Sequence, residues 1–143
     1  MGKFLIVYAT RADETKTIAE LIAEGMRIAG HEADVKKITE IKSEEGLNGY
    51  DGYAFGSATY HGEMISSMKQ FLFIAERADL KEKAGGAFGA YGWSGEAPKR
   101  IFETMKNIYG MKMVSDPLML KASWIEGGTI ACQDYGKSIA ALI

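Results

Sequence analysis

Three short segments of this 143-residue chain gather residue types able to do chemistry. The first, Thr10-Arg11-Ala12-Asp13-Glu14-Thr15, lies between an apolar run and a helical pattern. Free amides at a helix start, with the helix dipole behind them, favour an anion. Thr10 and Thr15 add hydroxyl donors and Arg11 a charge-assisted one. The same residues also suit an ordinary helix cap, with Asp13 or Thr10 accepting a backbone amide. The second segment, Gly56-Ser57-Ala58-Thr59-Tyr60-His61-Gly62-Glu63, sets an aromatic ring and an imidazole beside a glycine. A peptide at such a glycine turns over at low strain, which is useful where a ligand atom alternates between donating and accepting a hydrogen bond. Its plain alternative is a turn with Tyr60 packed on the surface and His61 exposed. The third segment, Gly89-Ala90-Tyr91-Gly92-Trp93-Ser94-Gly95-Glu96, raises two large aromatics on a glycine frame. A large aromatic in a loop covers either a core edge or a flat ligand.

Other chemistries find little support. The only histidine besides His61 is His31, in a distant connection, and no second Cys or His stands at ligand spacing, so no metal site is expected. The single cysteine, Cys132, cannot form an internal disulfide, and it falls in the helical stretch Thr129 to Leu142 as a small buried hydrophobe. The formal charge of −2 offers no basic face for nucleic acid or an anionic membrane. No leader and no apolar run of membrane-spanning length appears, and the cytoplasm is the expected location.

The elements that must position these segments alternate. Phe4 to Tyr8 is a continuous apolar run suited to a central strand buried on both faces. Ile18, Leu21, Ile22, Gly25, Met26 and Ala29 then follow helical spacing, with Asp13 available as a cap and Gly30 placed to end the helix. Ala33 to Ile38 reads as a strand nearer an edge, and Tyr50 to Ser57 as a further strand. Met64, Met68, Phe71, Leu72 and Ala75 form the next helical stripe. Ala87 to Tyr91 is a strand, and Ile101, Met105 and Ile108 mark a helix with Pro98 in its first turn and Gly110 at its end. Met111 to Ala122 is a last strand, and the Asp116-Pro117 break within it restricts it to an edge or a bulge. Strands and helices alternating through short connections predict one α/β domain over 1–143, a three-layer sandwich on a five-stranded parallel sheet with right-handed crossovers. Ligands of such sheets bind beyond the carboxyl ends of the strands, where strand order reverses, and the three segments follow strands one, three and four. Together they describe a site for a planar ring with a phosphate tail.

These residues resemble a known family. Gly56-Ser57-Ala58-Thr59-Tyr60-His61-Gly62, with Phe88-Gly89-Ala90-Tyr91-Gly92-Trp93-Ser94-Gly95, is similar to the flavodoxins, most of all to short-chain flavodoxins and the flavodoxin-like domain of A-type flavoproteins. The likeness extends to the closing helix around Cys132, Tyr135, Gly136 and Lys137. It implies strand order 2-1-3-4-5 and FMN as cofactor. By that resemblance Thr10, Arg11, Ala12, Asp13, Glu14 and Thr15 hold the phosphate. Thr59, Tyr60, His61 and Gly62 line one face and the N5 edge of the ring, Trp93 stacks on the other with Tyr91 mainly structural, and Ser57, Ala58, Gly92 and Gly95 complete the cofactor-binding set. The implied function is electron transfer by a monomer between redox protein partners, with no catalytic residue of its own. Reduction of a quinone or similar small molecule and a flavin-free interaction domain are the alternatives. The chain departs from the family at its phosphate loop, where Asp13 and Glu14 replace a Gly-Asn pair. A carboxylate repels a phosphate charge by about 1 kcal/mol at 4 Å in water and by more where water is excluded. Either both carboxylates point outward and Arg11 compensates, or flavin affinity is low. A dinucleotide fold would need Gly-x-Gly-x-x-Gly after strand one, and a receiver domain an acidic pair there; neither is present.

Overall fold

The computed structural model describes residues 2–10, 14–60, 63–91, 96–121 and 128–143, with the side chains of Tyr60, Tyr91 and Lys121 outside that set. Strand β1 (Lys3–Ala9) and strand β3 (Gly52–Ser57) form the centre of a parallel sheet. From Phe4 onward every residue of β1 is buried, as is every residue of β3, because both faces are covered by helices. Strand β2 (Glu32–Lys37) pairs outside β1 and alternates burial with charge, as an edge strand should. Beyond β3 comes β6 (Ala84–Tyr91), and at the far edge lie two short pieces, β7 (Lys112–Met113) and β8 (Leu118–Lys121), both parallel to β6. Taking β7 and β8 as one interrupted strand, the order is 2-1-3-4-5, as expected.

The interruption has a measurable form. Gly85 pairs with Met113 and Phe88 with Leu118, so three steps along β6 face five along its neighbour. The two extra residues fall around Asp116 and Pro117, where a missing N–H would otherwise spoil the ladder. The Tyr135 hydroxyl fills the gap. It accepts from Ala87 N–H at 3.1 Å, and its proton is offered to Asp116 C=O at 2.8 Å and Ala87 C=O at 3.0 Å. Burial pushes this phenol well above its ordinary range, which keeps the donor proton in place.

Helices cover the sheet in two unlike pairs. Helix α1 (Glu14–Ile28) and helix α4 (Thr129–Ala140) pack on one face in close contact. A Cβ on Gly25 would lie 2.0 Å from Gln133 O, and one on Gly136 would lie 2.1 Å from Ile22 O, so each glycine admits the other helix's backbone. On the opposite face, helix α2 (Ser66–Glu76) seats Phe71 edge-on against Phe55 at 4.9 Å, and helix α3 (Glu96–Asn107) packs Met105 and Pro98 towards β6. Cys132 is fully buried in α4, as expected, and burial raises its thiol to about 11.

Three expectations for the helical stripes are corrected. Met64 lies in a short strand rather than in α2, because the chain first forms an antiparallel pair, β4 (Thr59–Tyr60) with β5 (Glu63–Met64). Ile108 follows the end of α3 and is 62 % exposed, and the helix buries Ile101, Phe102 and Met105 instead. Ala29 is exposed beyond the end of α1, where the backbone turns at Gly30 with φ of +93° and His31 N–H returns to Met26 C=O.

Candidate functional site

The carboxyl ends of β1, β3 and β6 stand side by side. Ala9 pairs with Ser57 and Gly56 with Phe88, so the segments after these strands leave the sheet at one edge. Helix α1 begins at this edge within the first segment, and Glu14 is the acid of its first turn. Thr15 is fully buried there, and its hydroxyl has no hydrogen-bond partner among the described residues. An unsatisfied buried hydroxyl costs roughly 1–3 kcal/mol, so at this helix start it is a donor open to an acceptor beyond the described residues. A hydroxyl donor at a helix start fits the phosphate of FMN, whose oxygens accept hydrogen bonds. Thr10 follows the end of β1 half-buried. Arg11, Ala12 and Asp13 lie outside the described residues.

The second segment is a hairpin tied down on three sides. The buried Ser57 hydroxyl accepts from Ile65 N–H at 3.2 Å and donates to Ala58 C=O at 2.9 Å, closing the base of the hairpin. Ala58 N–H reaches Ala9 C=O at 3.4 Å, joining it to β1. Thr59 Oγ1 accepts from Ala97 N–H at 3.1 Å, satisfying one free amide at the start of α3. Tyr60 pairs with Glu63, which leaves His61 and Gly62 as the two linking residues, and these two lie outside the described set. Glu63 binds Lys69 of α2 at 3.0 Å and also Arg100 of α3. Its carboxyl is held below the usual range, chiefly by the Lys69 hydrogen bond and further by Arg100.

Tyr91 ends β6 opposite Lys121. Its ring, with Gly92, Trp93, Ser94 and Gly95, lies outside the described residues. Beneath this segment a Cβ on Gly89 would come 2.1 Å from Ser57 O, so glycine is what lets β6 approach the base of the hairpin. Sequence reasoning placed Thr59 in the site and missed its second duty at α3, and it missed Glu63 and Arg100 as the ties between helices. The His61-Gly62 pair after an aromatic was the signal for a two-residue hairpin link.

The model of the family described as Flavodoxin matches residues 6–135 of this chain, and thus all three segments. The chain belongs to the flavodoxin family. Among relatives, the chain is 30% identical over 136 residues to a flavodoxin of Clostridium beijerinckii, covering 94% of this chain and 97% of that one. It is also 30% identical over 143 residues to an uncharacterized Methanocaldococcus jannaschii protein, MJ0732, covering 97% of this chain. It spans about a third of that relative's length, 36%. Among solved structures, a flavodoxin from the domain Archaea superposes with a TM-score of 0.91 at 30% identity, covering 97% of this chain and 96% of that one. Family membership supports a flavin-binding, electron-transfer role, with FMN as the cofactor the family implies. No helix among the described residues is long and apolar enough to cross a membrane.

Proposed function

We propose that the chain holds one FMN across the carboxyl edges of β1, β3 and β6 and passes electrons between redox proteins, in the cytoplasm. The observation that carries this reading is the buried Thr15 hydroxyl, without a partner among the described residues where α1 begins. When bound, the flavin supplies the redox chemistry, and the protein contributes orientation, potential and access. In this reading the first amides of α1 and the hydroxyls of Thr10 and Thr15 hold the phosphate, with Arg11 answering part of its charge. Ala58, Thr59, Tyr60, His61 and Gly62 line one side of the ring. Trp93 covers the other, framed by Tyr91, Gly92 and Gly95. Ser57 works from below, fixing the hairpin base on which that side is built.

Titration calorimetry with FMN, FAD and riboflavin tests the proposal. One FMN per chain, bound more tightly than FAD, is expected, because a short loop against a helix start receives a terminal phosphate more readily than an adenylate extension. Equal or tighter FAD binding, or no flavin binding, overturns it. In a Trp124→Phe background, Trp93 emission should be quenched at saturation.

A further inference from the structure

The two helix pairs differ in a way that the flavin reading does not use. Helices α1 and α4 interlock through Gly25 and Gly136, whereas α2 and α3 share the other face of the sheet without packing closely on each other. Between them runs an open groove of about 600 Å³. Its floor includes Met64, Leu72 and Tyr109, whose hydroxyl donates to Leu72 C=O and stitches the two sides together. Phe73 stands on its wall 69 % exposed and Ile108 62 % exposed. Two large apolar side chains left in water beside one groove mark an interaction surface rather than scattered surface hydrophobics.

The charges along the groove are polarised. Both helices follow parallel strands and run back from the carboxyl edge, so their starts lie at one end of the groove and their ends at the other. At the first end, Lys69 and Arg100 face Glu63, leaving one net positive charge. Towards the other, Glu76 and Glu103 add two negative charges, and neither forms an ion pair among the described residues. In α2 this arrangement opposes the helix dipole. The helix has no acid in its first turn and no base in its last, but Lys69 near its start and Glu76 as its final residue.

We propose that this groove is where two copies of the chain pair about a twofold axis, with their helices antiparallel. The axis reverses the groove, setting the Lys69/Arg100 end of one copy against the Glu76/Glu103 end of the other, twice. Each Phe73 then enters the apolar floor of the opposite groove, and the helix dipoles of the two copies run in opposition. Such an isologous contact closes on itself and leaves no open surface for further growth. The groove is built by α2, α3, Glu63 and Met64 of β5 and the residues just after α3, and the pairing does not require bound flavin.

Sedimentation equilibrium of the full chain over a concentration series reaching the millimolar range, with and without FMN, tests it. A concentration-dependent dimer is expected in both cases, and Phe73→Glu or Ile108→Glu should raise its dissociation constant at least about tenfold. One variant reverses the acids, Glu76→Lys with Glu103→Lys, and a second reverses the cations, Lys69→Glu with Arg100→Glu. Each alone should be monomeric, and their equimolar mixture should form a heterodimer, since every cross-axis pairing is then attractive. Thermal melts of each variant establish that it is folded. A wild type monomeric throughout the series, the state expected from the sequence, overturns the proposal. So does a dimer untouched by the Phe73 and Ile108 substitutions, or a charge-reversed mixture that does not associate.

Discussion

Thr15 carries two opposed costs in one side chain. Its hydroxyl is buried without a partner among the described residues, a liability of roughly 1–3 kcal/mol in the ligand-free protein, and in the proposed FMN complex it would serve as a phosphate donor. Thr15→Val removes the oxygen at nearly constant shape. The ligand-free variant should therefore be as stable as the parent or more so in urea unfolding, while FMN binds several-fold more weakly and riboflavin, which lacks the phosphate, is almost unaffected. A loss of stability together with equal losses for both ligands would show that the hydroxyl is structural. The neighbouring carboxylates act in the opposite direction. Replacing Asp13 with Gly and Glu14 with Asn should tighten FMN by about 1 kcal/mol and leave riboflavin unchanged, because only a charged tail senses their removal. At this scale the sequence was legible in residue type but not in satisfaction. Hydroxyls at Thr10, Thr15 and Thr59 all read as ligand donors, and only the packed chain distinguishes Thr59, which serves Ala97 N–H, from Thr15, which has no partner among the described residues.

Periodicity located the strands and helices because each buries a continuous face, and a parallel sheet followed from their alternation, while its strand order came with the family resemblance. It failed where two residues decide an element. The β4–β5 hairpin has too few positions to show a period, so Met64 counted with the helix that follows it. The break in the last strand was visible at Pro117, but its repair was not, since Tyr135 is distant in sequence and reaches the gap only through the packing of α4. That repair is open to test. Tyr135→Phe keeps the ring and leaves Ala87 N–H and Asp116 C=O without their partner, which should cost about 1–3 kcal/mol in urea denaturation. Hydrogen exchange should speed up at Ala87 and along β8 more than in β1. A loss below a few tenths of a kcal/mol would mean that water replaces the phenol at no cost, and that the bulge needs no plug.

Over the whole molecule, acid groups of the folded state are biased towards their protonated forms. Burial, helped by the hydrogen bond to Asp34, pushes the Tyr50 phenol from 10.0 to about 12, and burial likewise pushes Tyr53 to about 12. Tyr109 and Tyr135 are raised in the same direction for the same first cause, and the Cys132 thiol rises from 9.0 to about 11. The sign of the linkage follows. Each of these groups binds its proton more tightly when folded than when unfolded, so its contribution is fully present below the unfolded value and is lost as pH rises towards the folded one. Cys132 begins to act near pH 9 and the tyrosines near pH 10, and the losses accumulate up to about pH 12. Glu63 works the other way, with a carboxyl held low by Lys69 and Arg100, and its contribution disappears only as pH falls through that lowered value. Because it is solvent-exposed, the acid side should be shallow. Urea unfolding should therefore give a stability nearly flat from about pH 6 to 8.5 and falling steeply above it. Cys132 supplies an internal check, because a buried thiol with a raised pKa is a poor nucleophile. Iodoacetamide at about pH 8.5 should label it at the rate of unfolding, in step with added urea. Rapid labelling of the native protein, or a stability unchanged to about pH 11, would place these five groups in contact with solvent and contradict the burial from which the bias arises.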